Sequence, residues 1–397
     1  MNILSAVDAA PGLTPSASVP RERFHGLDGL RAIAALLVFL HHIVISNAAL
    51  YFRQHDSPML ASALFGFGAS GVEIFFCLSG VLLLRPYLRH GRKIEVLDYL
   101  KRRLLRLYPP FFVAWLISGF AVGLVWIYPT WWTRFSGLPG FDWYDWLLEL
   151  PVGIFTDVAY NLAWWSLGLE VLFYLSVPLL VLVLVYFRRT GMAIGTLVLF
   201  CLFASVFTHA FVPYLGKAGA LAVGWNFASY AFCFSGGVLL ARYDVTGPVR
   251  TCFWLIGGVM VVASLFFPVI NHHVGYGLIG VALVAMAADG TSRLGRLLSG
   301  SWFLWFGERS YSIFLTHYAA INMGCYLASL VFDEKGAAYI MLSRSLVFFL
   351  AILLMVLVFN GVESRFARNL TTADWKYPWR GRLVASLTSG RMSAGKG

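Results

Sequence analysis

Arg31 and His42 stand eleven residues apart in one apolar stretch, which opens Leu27-Asp28-Gly29-Leu30-Arg31 and closes on His41-His42. At 100° per residue, eleven steps return to within about 20° of the starting direction and rise about 16 Å, so both side chains project from one face of a helix. A guanidinium suits a phosphate, and an imidazole can take a proton from a hydroxyl. Other ionisable residues also sit in apolar surroundings. They are Glu73 in Gly71-Val72-Glu73-Ile74-Phe75-Phe76, Glu170 in Trp165-Ser166-Leu167-Gly168-Leu169-Glu170, and His317 in Tyr311-Ser312-Ile313-Phe314-Leu315-Thr316-His317. Ionisable groups at membrane depth are functional candidates by default. A carboxylate beside an imidazole fixes its tautomer and stabilises the imidazolium, so Glu73 is the predicted partner of His42. Ser166, Glu170 and His317 are predicted to line the same polar cavity. Each has a plainer alternative: Arg31 as a charge anchor, His42 as a packed histidine, Glu170 and His317 as hydrogen-bonding pins between helices.

A basic run, Lys101-Arg102-Arg103-Leu104-Leu105-Arg106, adds three arginines to Arg31. Clustered guanidinium groups suit the phosphates of a nucleotide thioester such as acyl-CoA. Anchoring to anionic lipid heads is the competing reading, and on this run alone it is the stronger one.

These side chains must be held by helices in lipid. Of 397 residues, 59% are hydrophobic and 12% charged, against about 25% charged in a soluble domain. A chain this apolar could not cover a water-facing surface. Ten stretches are long enough to approach or exceed a bilayer span: 28–50, 70–88, 108–128, 162–187, 191–214, 224–241, 252–270, 273–289, 302–331 and 338–361. The predicted fold class is therefore all-α, a polytopic transmembrane bundle of about ten spans. Basic residues concentrate in alternate loops, from Arg85 to Arg106, at Arg188–Arg189, at Arg242 and Arg250, at Arg293 and Arg296, and in the tail from Arg365. Asp142, Asp145, Glu149 and Asp157 lie in the opposite set, so the positive-inside rule puts both termini in the cytoplasm of a plasma-membrane protein. The net charge of +11 reports this orientation rather than nucleic-acid binding. Residues 1–23 read as a flexible tail, 24–362 as the membrane-embedded unit and 363–397 as a basic tail. Cys77, Cys201, Cys233, Cys252 and Cys325 show no ligand spacing, so no metal and no bound cofactor are predicted.

Five of these stretches together resemble the type 3 acyltransferase family of integral membrane proteins. Leu27–His42 is similar to its first-span signature of a basic residue followed by histidine, and Gly71–Gly80 to its GV(D/E)xFFxLSG segment. Arg102–Pro109 resembles its arginine-rich approach to the third span, although Lys101 and Arg103 hold the spacing where the family carries two arginines. Trp165–Tyr174 is similar to its WSLxxExxFY segment, and Ser310–His317 to its SYSIYLxH segment. The resemblance implies a catalytic histidine at His42, a functional arginine at Arg31, and O-acylation of carbohydrate or small-molecule hydroxyls from cytoplasmic acyl-CoA, acetyl-CoA foremost. Some members carry a C-terminal hydrolase-like domain, and none is expected in this chain. Direct transfer and an acyl-histidine relay both remain open, as does acceptor arrival from the outside or from the cytoplasm. The rival from another class is a transporter, against which no inverted repeat is visible. A catalytically dead sensor or scaffold is disfavoured by the joint presence of His42, Glu73 and the arginines.

Overall fold

In a computed structural model of the chain, the structure describes residues 25–45, 57–150, 160–186, 190–211, 227–267 and 270–366. The tail 1–23, most of 363–397, and the loop residues Asp157, Arg188 and Arg189 lie outside them. Among the described residues every element is helical. Helix α1 is His25–Leu40, continued by a π-turn at His41–Ile45; α2 is Pro58–Ala69, α3 Gly71–Leu88, α4 Val96–Ile127, α5 Trp131–Phe135 and α6 Trp143–Leu148. A 3₁₀ turn at Leu162–Trp164 leads into α7, Trp165–Tyr186; α8 is Thr190–Phe211, α9 Phe227–Arg242, α10 Gly247–Phe266 and α11 His272–Ala288. Then come α12, Arg293–Leu298; α13, Ser301–Glu308; α14, Ser310–Ser329; and α15, Ala337–Val358, which ends in a second π-turn at Phe359–Glu363.

Each predicted stretch falls on a helix, and by length and composition six of the helical segments can cross a membrane: 25–45, 58–88, 96–127, 162–186, 247–266 and 337–366. The structure corrects three boundaries. The third span begins at Val96, so the run from Lys101 to Arg106 rides on the helix itself. At 32 residues this helix is about 48 Å long, well beyond a hydrocarbon core of about 30 Å, so its basic first turns emerge from the apolar slab. The second span is preceded by α2, joined to it at Ser70. The ninth stretch is two helices broken at Arg309, whose guanidinium lies 4.2 Å from the centre of the Trp305 ring and 4.4 Å from that of Phe359. The apolar pattern of Trp302–Phe306 hid this break.

Lipid-facing and core-facing helices differ sharply. In α10 only 6% of the apolar window is buried, and Leu255, Ile256, Val259 and Val262 point outward. Helix α3 is the opposite: it sits in the core against α1, α7, α9 and α11. Its approach to α9 depends on two glycines. A Cβ on Gly237 would lie 2.0 Å from the Cys77 carbonyl oxygen, and one on Gly80 2.2 Å from that of Phe234. Small residues at such crossings let backbones pack directly, which drives helix association where lipid is the solvent. Gly237→Val is expected to abolish recovery of monodisperse protein in detergent, whereas Gly258→Val, with nothing within 4 Å of the new Cβ, should purify normally. Size-exclusion yield of the two variants reads this out.

Candidate active site

One part of the site is built from the end of α1 and the middle of α14. His317 is 1% exposed, and its Nδ1 lies 2.8 Å from the Phe314 carbonyl and 3.2 Å from that of Ile313. A carbonyl only accepts, so Nδ1 carries the proton and Nε2 presents a lone pair. His42 Nδ1 lies 2.9 Å from the Val38 carbonyl and 3.2 Å from His317 Nε2. By the same reasoning His42 carries its proton on Nδ1, shared between the two acceptors, and its Nε2 is left basic. The His42 ring also meets Tyr318 at 5.0 Å, and Phe39 packs edge-on to His317 at 6.2 Å. His42 sits in the π-turn, where the widened backbone occurs preferentially at functional positions.

The predicted pairing of Glu73 with His42 is not what the structure holds. Glu73 is fully buried, and its Oε1 lies 2.6 Å from Nδ1 of His273 at the start of α11. The rotation of α3 was not readable from the sequence, and that rotation turns Glu73 toward α11. His273 drew no attention as a sequence feature, although His272-His273 at the head of an apolar run is the same signal as His41-His42. His41 faces away from His317, packed against Phe65 and close to Gly68 of α2.

Arg31 and the other polar residues gather toward the opposite end of α1. Arg31 lies 3.9 Å from Asp28 and within electrostatic reach of Arg106, Glu170 and Glu363, and Glu363 is also within reach of Arg106. Tyr174 donates its hydroxyl to Glu170, and Ser312 donates to Glu363. Arg103 lies over Tyr99 at 5.5 Å and near Tyr174 at 6.0 Å. Arg102 is the member that turns away, toward Asp98 at 3.4 Å on the exposed side of α4. Glu170 therefore belongs with the arginines rather than with His317, and Ser166 spends its hydroxyl on the Ala163 carbonyl at 3.4 Å. Glu363 was missed because it stands just past the last apolar run.

The Ser310–His317 stretch fastens both ends. Tyr311 donates to the Leu107 carbonyl of α4 at 2.9 Å, next to Pro109 and Pro110, and Ser312 holds Glu363. Farther along, the Leu315 carbonyl accepts from Asn161 Nδ2 and Trp164 Nε1, each at 3.2 Å. Asn161 is positioned in turn by Glu149, whose Oε1 accepts from the Tyr160 amide at 2.6 Å and the Asn161 amide at 3.4 Å. Glu149 lies in the loop between α4 and α7, where burial pushes its carboxyl up to about 8 despite those two amides. Between its ordinary value of 4.5 and about 8 the folded protein holds a proton that the unfolded chain has lost. Stability therefore falls as pH rises through that window, by up to about 1.4 kcal/mol per pH unit, and levels off above it. Melting in detergent between about pH 5 and pH 8 should show this decline, and Glu149→Gln should flatten it.

A helical membrane bundle with a buried base at one end of a helix and an arginine cluster at the other has the layout of a membrane-embedded transferase. A family model described as an acyltransferase domain matches residues 24–360, and the chain belongs to this family, the type 3 acyltransferases. Among its relatives, "O-acetyltransferase OatA" of Staphylococcus aureus (strain NCTC 8325 / PS 47) is 26% identical over 75% of this chain and 50% of its own length. "Putative peptidoglycan O-acetyltransferase YrhL" of Bacillus subtilis (strain 168) is 25% identical over 75% and 48%. "Peptidoglycan O-acetyltransferase OatA" of Listeria monocytogenes serovar 1/2a (strain ATCC BAA-679 / EGD-e) is 24% identical over 76% and 50%. The chain thus spans about half the length of these relatives. No solved structure matches it.

Proposed function

We propose that the chain is a plasma-membrane O-acetyltransferase that moves an acetyl group from cytoplasmic acyl-CoA to a carbohydrate hydroxyl on the outer side. The observation that carries this reading is the pair of opposed sites on α1: a histidine with its tautomer fixed at one end, and Arg31 with Arg103 and Arg106 at the other. The loop charges support ten spans with both termini cytoplasmic, which puts the arginines inside and His42 toward the outside. The names of the relatives support acetyl as the group and a cell-wall polysaccharide as the acceptor.

In this mechanism Arg31, Arg103 and Arg106 bind the donor phosphates, with Glu170 and Glu363 holding the guanidinium groups in place. His42 Nε2 takes the proton of the acceptor hydroxyl as that oxygen attacks the thioester carbonyl. The tetrahedral intermediate then expels the CoA thiolate, and the proton on Nε2 returns to sulfur. An ester and a free thiol result, with no other reactant required. A cytoplasmic small-molecule or lipid-linked acceptor would use the same chemistry from the other side.

Purified protein in liposomes, given acetyl-CoA, should release free CoA only when an acceptor glycan is supplied. Release without acceptor, or none with it, would overturn the reading. Arg103→Gln and Arg106→Gln are expected to raise the donor Kd about tenfold each, corresponding to about 1.4 kcal/mol, with binding weakening further as salt rises. Arg102→Gln should change little, because its partner is Asp98. Calorimetric titration with CoA checks all three.

A further inference from the structure

Between α3, α9, α10 and α11, at the bundle end that carries Arg89, a cavity of about 350 Å³ lies apart from both halves of the candidate active site. Its floor is apolar, formed by Val81, Leu240, Val284 and Ala288. Its rim is not: Arg85, Tyr243 and Arg250 line it, with Asp244 and Asp289. Both carboxylates are already engaged. Arg89 holds Asp244 at 2.7 Å, while Asp289 takes Arg250 at 3.0 Å and the Thr291 hydroxyl at 2.6 Å. With Arg89, the rim carries three arginines against those two acids. The Tyr243 hydroxyl is buried and has no hydrogen-bond partner among the described residues. Helix α10 starts at the same rim; Thr246 makes no side-chain cap and Pro248 has no amide hydrogen, which leaves the amides of Gly247 and Val249 to an anion.

The cavity does not stop at the rim. A second cavity of about 320 Å³ shares Gly247 and Arg250 with it and runs past Trp254 and Met286. Beyond Trp254 lies the outward face of α10, whose Leu255, Ile256 and Val259 are exposed in a chain that faces lipid there. A soluble phosphate compound would fill the rim and leave the apolar floor and this side opening unused. A ligand with an anionic phosphate at one end and a hydrocarbon chain at the other uses all three.

We propose that this cavity binds one anionic phospholipid, its phosphate among Arg85, Arg250 and Tyr243 and its acyl chain along Trp254 and α10. The inference needs only that the chain lie in a membrane. It does not rest on acyl transfer, and either can fail without the other.

The test is native mass spectrometry of the purified full chain, stripped of lipid and then offered phosphatidylglycerol or phosphatidylcholine. One phosphatidylglycerol should be retained about tenfold better than phosphatidylcholine, whose phosphate is the same but whose choline cation is repelled by the arginines. That preference should vanish in Arg85→Gln/Arg250→Gln, and retention of phosphatidylglycerol itself should fall severalfold in Tyr243→Phe, which removes one hydroxyl and keeps the ring. If the double variant is not monodisperse, Tyr243→Phe decides by itself. Equal retention of the two lipids would overturn the proposal, as would unchanged retention in the variants. Displacement of the lipid by millimolar inorganic phosphate would mark a soluble-anion site instead and overturn it equally.

Discussion

His42→Ala is expected to lower acyl transfer by about 10²–10⁴-fold, the usual contribution of a positioned general base, while leaving donor binding unchanged. A sugar hydroxyl is a weak nucleophile at neutral pH and needs its proton removed as it attacks. His42 Nε2 is the nitrogen available for this, because Nδ1 is committed to Val38 and His317. The donor cluster lies toward the other end of α1, so the substitution leaves the arginine contacts intact. His41→Ala is the matched control. Its ring packs on Phe65 and stands close to Gly68, so its loss leaves a gap against α2 and should affect stability more than rate. In the active protein the rate should rise with pH as Nε2 loses its proton, and His42→Ala should lose that limb. Acetyl transfer to a soluble glycan, measured beside CoA binding, separates the two effects. Near-native turnover in His42→Ala would remove the mechanism outright.

The sequence carried which polar residues sit in apolar helices better than the direction their side chains take. Arg31 and His42 were legible because they share one helix, where spacing alone fixes the face. Glu73 was assigned the wrong neighbour. Its direction depends on how α3 seats against α9 through Gly80 and Gly237, a contact between segments more than 150 residues apart. The same limitation hid the split of the polar groups into two sets. Glu170 and His317 looked alike as ionisable residues in apolar runs, yet one sits with the arginines and the other with His42. Glu363 was invisible for a different reason. It lies just past the last apolar stretch, and the π-turn at Phe359–Glu363 brings it back to Ser312 and Arg31. The long apolar helices were readable, since apolar length suffices for that, whereas α2, α5, α6 and α12 lie outside every predicted stretch.

The change of partner from Glu73 to His317 sets up the second large effect. His317→Phe keeps an aromatic ring beside Phe39 and Phe314 but removes the acceptor that faces His42. His42 then keeps the Val38 carbonyl as its only assigned acceptor, and its ring is less well aimed. When Nε2 takes the substrate proton, the Nδ1–H becomes a stronger donor, and the lone pair on His317 Nε2 is what stabilises it. This contribution exists mainly in the transition state, so it should appear in kcat rather than in KM. We expect His317→Phe to cost about 10²-fold in kcat, within the range for groups that support a general base. His317→Gln should recover part of the loss, since its side-chain carbonyl can accept near the Nε2 position although it forgoes the bond to Phe314. Glu73→Gln is the contrast. An amide in that place can still accept from His273, so kcat and its pH dependence should stay within about threefold, a change worth about 0.7 kcal/mol. A steep loss in Glu73→Gln with little change in His317→Phe would mean that the carboxylate, not the second imidazole, supports His42 during turnover.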